Sequence, residues 1–315
     1  MHPALSVIFF TTASGAGYGL LTILGICYFF QISPLNYAFG LSAIGIAVTL
    51  ITTGLLSSTF HLGHPERAWR ALSQWRSSWL SREGILAIVT YIPIVILTTG
   101  WLFLKSESAL YVIAALTMSM LCLLTVYATS MIYASLKTVH AWCNHWVPLV
   151  YISIAIMTGM LLLNALLLVF STPLPAITYA SLVSVVVAFI IKIAYWHFIK
   201  NTNSTSTAET ATGLGHLGKV KLLQSPHSQE NYLLKEMGFQ IARKHSDKLR
   251  RICVMCGFVI PFLLTLVTQD VASSLSMVSA ILAVVISLIG VVVERWLFFA
   301  EAKHTVMLYY GSSSA

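Results

Sequence analysis

Charge is scarce in this chain. Asp, Glu, Lys and Arg make up 9% of its 315 residues, against about a quarter in a soluble globular domain, while 57% are hydrophobic. That imbalance excludes a soluble enzyme or binding domain and leaves a membrane protein. Short alternating apolar and polar segments are also missing, which excludes a transmembrane β-barrel. Over long apolar runs only helices satisfy their own backbone in lipid. The predicted fold is therefore an all-α, polytopic membrane helix bundle.

Other absences narrow the chemistry. A haem b site needs histidines facing each other deep in the spans, yet His140, His145 and His197 lie near run ends and His216, His227, His245 and His304 lie outside the runs. No haem is expected. Of five cysteines, Cys27 and Cys122 stand alone in apolar runs, Cys143 lies in a short connection, and Cys253-Val254-Met255-Cys256 is a C-x-x-C without a second pair. Such a set cannot complete a four-ligand site, so no metal is assigned to the chain. Gly15, Gly17 and Gly19 follow no strand, and they read as contacts for close helix packing rather than a nucleotide loop. Pro93 and Pro261 mark expected kinks.

What is present is a series of apolar runs near 4–31, 39–60, 84–104, 109–134, 146–169, 175–198, 252–268 and 272–293, each long enough for a membrane helix. They predict about eight transmembrane helices in a single integral membrane domain, 1–315. No basic residue precedes the first run, which is too long for a signal sequence, so it is expected to stay in the mature protein. With eight spans both termini share a face with the even-numbered loops, and seventeen of the eighteen Lys and Arg residues fall on that side, leaving only Lys105 opposite. The positive-inside rule makes that face cytoplasmic, in a bacterial inner membrane. The net charge of +8 reflects this orientation and contact with lipid or an acidic partner, with no need for nucleic acid. The one sizeable loop, 200–251, begins with a Ser- and Thr-rich tether and carries Leu234, Met237 and Ile241 at helical spacing between Gln229 and Arg250. It reads as an amphipathic helix on the membrane surface or on another protein of a complex; a solvated connection is the alternative.

The ionisable residues concentrate between the second and third spans, in His61-Leu62-Gly63-His64-Pro65-Glu66-Arg67-Ala68-Trp69 and onward to Ser81-Arg82-Glu83. Pro65 can start a short helix whose Trp69, Leu72, Trp75, Trp79 and Leu80 share one broad face, so the tryptophans and arginines read as interfacial anchors. His61 and Glu83 end one span and begin the next. Ser81 is the expected cap of the third span, placing Glu83 in its first turn, where the helix dipole favours a carboxylate and burial opposes it. A His and a Glu so placed suit proton exchange with a quinone, which gains or loses protons with its electrons. A structural His–Glu pair is the alternative.

The HLGHPERAWRALSQWRSSWLSRE block resembles the membrane-anchor subunit of dimethyl sulfoxide reductase-type molybdoenzymes, with its HLG-x-P-x-RA motif and following L-S-x-E. Similar segments are Met131-Ile132-Tyr133-Ala134-Ser135-Leu136, Glu294-Arg295-Trp296-Leu297-Phe298-Phe299-Ala300 and the stretch from Pro226-His227 through Asn231-Tyr232-Leu233 to Glu236-Met237, so the resemblance spans nearly the whole chain. His2-Pro3 with Ser6-Val7-Ile8-Phe9-Phe10 looks more like the quinone-linked sulfite dehydrogenase branch. The resemblance implies an assembly of three subunits: a catalytic subunit with a molybdenum bis-pterin (molybdopterin) cofactor, a ferredoxin-like iron–sulfur subunit, and an anchor that exchanges electrons with ubiquinone or menaquinone. The family's catalytic His and Glu map onto His61 and Glu83. The expected quinone-binding set is His61, His64, Arg67 and Glu83, although His64 occupies the motif's variable position and inherits no role. The chain is thus expected to be a non-catalytic subunit that carries a quinone site. Two alternatives are a purely structural anchor and a secondary transporter, the latter disfavoured by the lack of internal repetition and of ionisable residues away from the span ends.

Overall fold

In lipid the long apolar runs must close their hydrogen bonds within themselves, and they do so as helices. The computed structural model describes residues 4–32, 36–60, 64–104, 108–202, 204, 206–224, 226, 231, 245–269 and 273–312. Among them, eight helices are long and apolar enough to cross a membrane: α1 (Leu5–Phe29), α2 (Tyr37–Thr59), α3 (Trp79–Leu104), α4 (Ala109–Ala134), α5 (Trp146–Val169), α6 (Pro175–Asn201), α7 (Ser246–Val267) and α8 (Ser274–Ala300). No strand occurs among the described residues. The chain is an all-α, multi-pass membrane protein.

Helix α1 is the axis of the bundle. It packs against α2, α4, α5 and α8, and it is the most deeply buried of the eight although the least apolar. Its small residues explain both facts, because without a hydrophobic drive between helices, close backbone approach holds membrane bundles together. A Cβ on Gly19 would lie 1.8 Å from the Ala155 carbonyl oxygen of α5, and one on Gly159 would lie 2.2 Å from the Gly19 carbonyl carbon. Around this axis α3 packs on α4, α6 on α5 and α7, and α7 on α8.

The two spans with the expected kinks each contain a wide π turn, Thr99–Leu104 after Pro93 and Met255–Val259 before Pro261. Proline has no N–H to offer the carbonyl four residues back. For Pro261 that carbonyl is Gly257, and the Ser287 hydroxyl of α8 donates to it at 3.4 Å.

The segment after α2 forms a 3₁₀ helix, Pro65–Gln74, with proline at its start. Trp69 and Trp75 are exposed, and the guanidinium groups of Arg70, Arg76 and Arg82 lie 5.6, 5.3 and 4.3 Å from the ring centres of Trp69, Trp75 and Trp79. The short helix expected from Pro65 is therefore present, except that Trp79 and Leu80 belong to α3. In the loop after α6, the stretch read as a tether contains a short helix, Ala208–Thr212, closed by a capping box between Thr207 and Thr210. The proposed amphipathic residues Leu234, Met237 and Ile241 lie outside the described residues.

Candidate functional site

The local sequence sets where Glu83 sits. Ser78 has an extended backbone and its side chain accepts from the Ser81 N–H, so α3 starts at Trp79. The expectation that Ser81 caps this helix is thereby corrected: Ser81 is buried inside it, and Glu83 lies beyond the first turn. The helix extends upstream because Trp79 and Leu80 are apolar enough to enter the interface, with Trp79 edge-on to Tyr127 of α4 at 5.8 Å.

Glu83 is 5% exposed, and the Thr129 hydroxyl of α4 donates to its Oε1. The same hydroxyl lies 3.0 Å from the Thr125 carbonyl oxygen. Thr129 therefore has two acceptors, and it can donate to Glu83 as a carboxylate or turn to Thr125 and accept from Glu83 as an acid. Tyr18 of α1, Tyr133 of α4 and Tyr151 of α5 all lie within electrostatic range of Glu83.

The other predicted site residues are placed differently. His61 lies outside the described residues. His64 and Arg67 are exposed and both turn to Glu66, with His64 Nδ1 at 3.0 Å and Arg67 Nε at 3.6 Å from its Oε1. The structure thus places Glu83 within the bundle and His64 and Arg67 on its surface. Between α2 and α3 an apolar cleft of about 370 Å³ is lined by Ile44, Val48, Tyr91, Ile94, Val95 and Phe103 among others, and Thr52 and Tyr91 share a hydrogen bond of 2.7 Å across these helices.

A second polar group was missed in the sequence. Lys192 of α6 and Glu294 and Arg295 of α8 are each no more than 2% exposed. The Lys192 ammonium donates to Glu294 Oε1, and Arg295 Nη1 lies 3.2 Å from Glu294 Oε2. Aromatic faces complete the enclosure, with the Arg295 guanidinium 3.7 Å from the Tyr151 ring centre and the Lys192 ammonium 4.5 Å from that of Tyr195. The count of Lys192 and Arg295 among the charges of the loop side, and the reading of the spans as lacking ionisable residues away from their ends, are corrected by this cluster. The cause is helix length: α6 continues to Asn201 and α8 to Ala300, which carries all three inward. The five apolar residues Trp296–Ala300 after Arg295 were the available signal.

Among the described residues no group of three or more His, Cys, Asp or Glu is arranged to hold a metal. What the site offers is a buried carboxylate able to hold or release a proton; the apolar cleft lies further along α3, where its first lining residue, Tyr91, is eight residues or about 12 Å of helix beyond Glu83.

No solved structure matches this chain. A subunit of the sulfite dehydrogenase of Allochromatium vinosum is 32% identical over an alignment of 329 residues that takes in 99% of each chain. The family model described as DMSO reductase anchor subunit (DmsC) matches residues 1–311. From the eight spans, the 61–83 block and these two matches together, the chain belongs to the DmsC family of dimethyl sulfoxide reductase anchor subunits.

Proposed function

We propose that this chain is the membrane anchor and quinone-reacting subunit of a three-subunit molybdenum oxidoreductase in a bacterial inner membrane. Its partners are a ferredoxin-like iron–sulfur subunit and a molybdopterin catalytic subunit, which carry the redox centres. The name of the relative favours sulfite oxidation over sulfoxide reduction at that catalytic subunit. Both termini and the basic loops face the cytoplasm; removing the buried Lys192 and Arg295 from the charge count leaves fifteen basic residues against one.

The observation that carries this reading is Glu83, an ionisable side chain buried in a membrane bundle beside a hydroxyl that accommodates both of its protonation states. Intramembrane ionisable residues are costly and mark functional sites. In this reading His61 hydrogen-bonds a quinone oxygen, Glu83 exchanges the proton, and Thr129 holds Glu83 in place. Exposed Arg67 and His64 face the membrane boundary, where they suit lipid or the docked partner.

The complex purified from native membranes tests this. Glu83→Gln and His61→Ala are each expected to lower quinone-linked turnover about a hundredfold or more while dye-linked turnover of the catalytic subunit and subunit ratios stay unchanged. Unaltered quinone-linked turnover in Glu83→Gln would overturn the reading. Sulfite-dependent quinone reduction identifies an oxidising complex, and quinol-driven sulfoxide reduction identifies a terminal reductase.

A further inference from the structure

Thr129, whose hydroxyl donates to Glu83, also lines a small void. The void, about 10 Å³, is lined by Thr12, Gly15 and Tyr18 of α1, Thr129 of α4, Tyr151 of α5 and Arg295 of α8, among others. That is at the lower limit of what one water requires. Four polar side chains on this wall hold buried atoms with no hydrogen-bond partner: Thr12 Oγ1, Tyr18 OH, Tyr151 OH and Arg295 Nε. All four residues are at least nine-tenths buried. Leaving one such group unsatisfied is costly, and several around one void of this size point to a shared partner.

Gly15 makes the space. Gly17 and Gly19 press on neighbouring backbones, but a Cβ added at Gly15 would meet nothing within 4 Å. It therefore serves the void, whereas its neighbours serve packing. Behind Arg295, the Lys192–Glu294 pair fixes the guanidinium.

We propose that Thr12, Tyr18, Tyr151 and Arg295 hold an internal water in the space left by Gly15, and that this water exchanges protons with Glu83 through Thr129. The proposal rests on the reading that Glu83 exchanges protons with quinone. Arginine has donors only, so a water bound to Arg295 turns its oxygen to the guanidinium and its hydrogens toward the hydroxyls. In that orientation the water donates to Thr129 and Thr129 donates to Glu83. One proton moves from water to Thr129 as one moves from Thr129 to Glu83, the water recovers its proton from the aqueous phase, and no electron is transferred. The same string runs in reverse when Glu83 releases a proton. Arg295 is a positioning residue in this scheme, as are Lys192 and Glu294 behind it.

The test fills the space without touching a charge. In the intact complex, Gly15→Val is expected to lower quinone-linked turnover about tenfold and to raise its solvent deuterium isotope effect, with dye-linked turnover and subunit ratios unchanged. Tyr151→Phe is expected to do the same to a smaller extent. If Gly15→Val keeps the native turnover and isotope effect while Glu83→Gln is inactive, the water site is wrong and the Glu83 reading stands; if Glu83→Gln is itself fully active, both fall. A second measurement needs no variant: redox-difference infrared spectra of the native complex in ¹⁸O water should show a shifted water O–H band that Glu83→Gln removes. Absence of any isotope-sensitive water band would overturn the proposal even if Gly15→Val fails to assemble.

Discussion

Lys192, Glu294 and Arg295 carry two positive charges and one negative in a nearly water-free interior, so their contributions are unequal. Replacing Glu294 by Gln leaves two cations facing each other with no counter-charge, and should destabilise the protein by about 3–5 kcal/mol. Replacing Lys192 by Met leaves the Glu294–Arg295 pair neutral, and the loss should be less than half as large. Urea or thermal unfolding in detergent would measure the difference, and equal losses would show that the three residues do not act as one charge cluster. Thr129→Val makes a comparable test at Glu83. It is expected to cut quinone-linked turnover about tenfold because the carboxyl group loses its hydroxyl partner, whereas Thr129→Ser should restore activity. Outside the spans, burial holds His304 below the ordinary imidazole range, and its Nδ1 accepts from the Val306 N–H at 3.0 Å, capping the turn Thr305–Tyr310. The folded form favours the neutral ring, so this cap is at full strength above about pH 6.5, the unfolded imidazole value, and weakens as pH falls from there through the lower folded value. Amide exchange at Val306, corrected for its intrinsic rate, should speed up on acidification; no change would refute the cap.

Glu83 was legible in the sequence because its neighbours form a motif, whereas its partner Thr129 was not. A threonine in an apolar run is indistinguishable from any small residue until the fold shows what lies across from it. The charged cluster was missed for a related reason, since the eighth apolar run was ended at 293, before the charges of Glu294 and Arg295, when the helix in fact continues past them to Ala300.

At the level of helices, the eight spans were readable from run length alone, and their ends were not. Cap chemistry decided the start of α3 at Ser78, and apolar residues beyond a charge decided the end of α8. Helix neighbours depend on contacts made by the smallest residues. Between α7 and α8, a Cβ on Gly290 would lie 2.1 Å from the Gly257 backbone nitrogen, beside the carbonyl that Ser287 serves. Gly290→Ala should force these helices apart and cost about 1–3 kcal/mol, read as a lower unfolding midpoint. The alanine at Gly15, by contrast, should leave that midpoint unchanged or slightly higher, because it meets nothing and favours the helix.

For the whole molecule, the arrangement of charge makes a prediction about sidedness. Cys143 is an exposed free thiol in the connection between α4 and α5, on the same side of the membrane as the 61–83 segment. A membrane-impermeant maleimide should label it in inverted vesicles and not in intact spheroplasts, and the reverse result would invert the proposed orientation. The position of α1 at the centre of the bundle was not legible, since periodicity has no bearing on a helix buried on every side. Its Ser, Thr and Gly content is the trace of that position.

That central position also has a consequence for biosynthesis. Of the eight spans α1 is made first, yet the surfaces it packs on belong to α2, α4, α5 and α8, the last of which is complete only when Ala300 has been added. The least lipid-compatible helix must therefore enter the bilayer before its neighbours exist. Insertion and association of helices are separable stages, and here the interval between them covers the synthesis of seven further spans. During that interval the nascent chain depends on the insertion machinery to shelter α1, and truncated products lacking α8 should be the ones most rapidly cleared by membrane proteases.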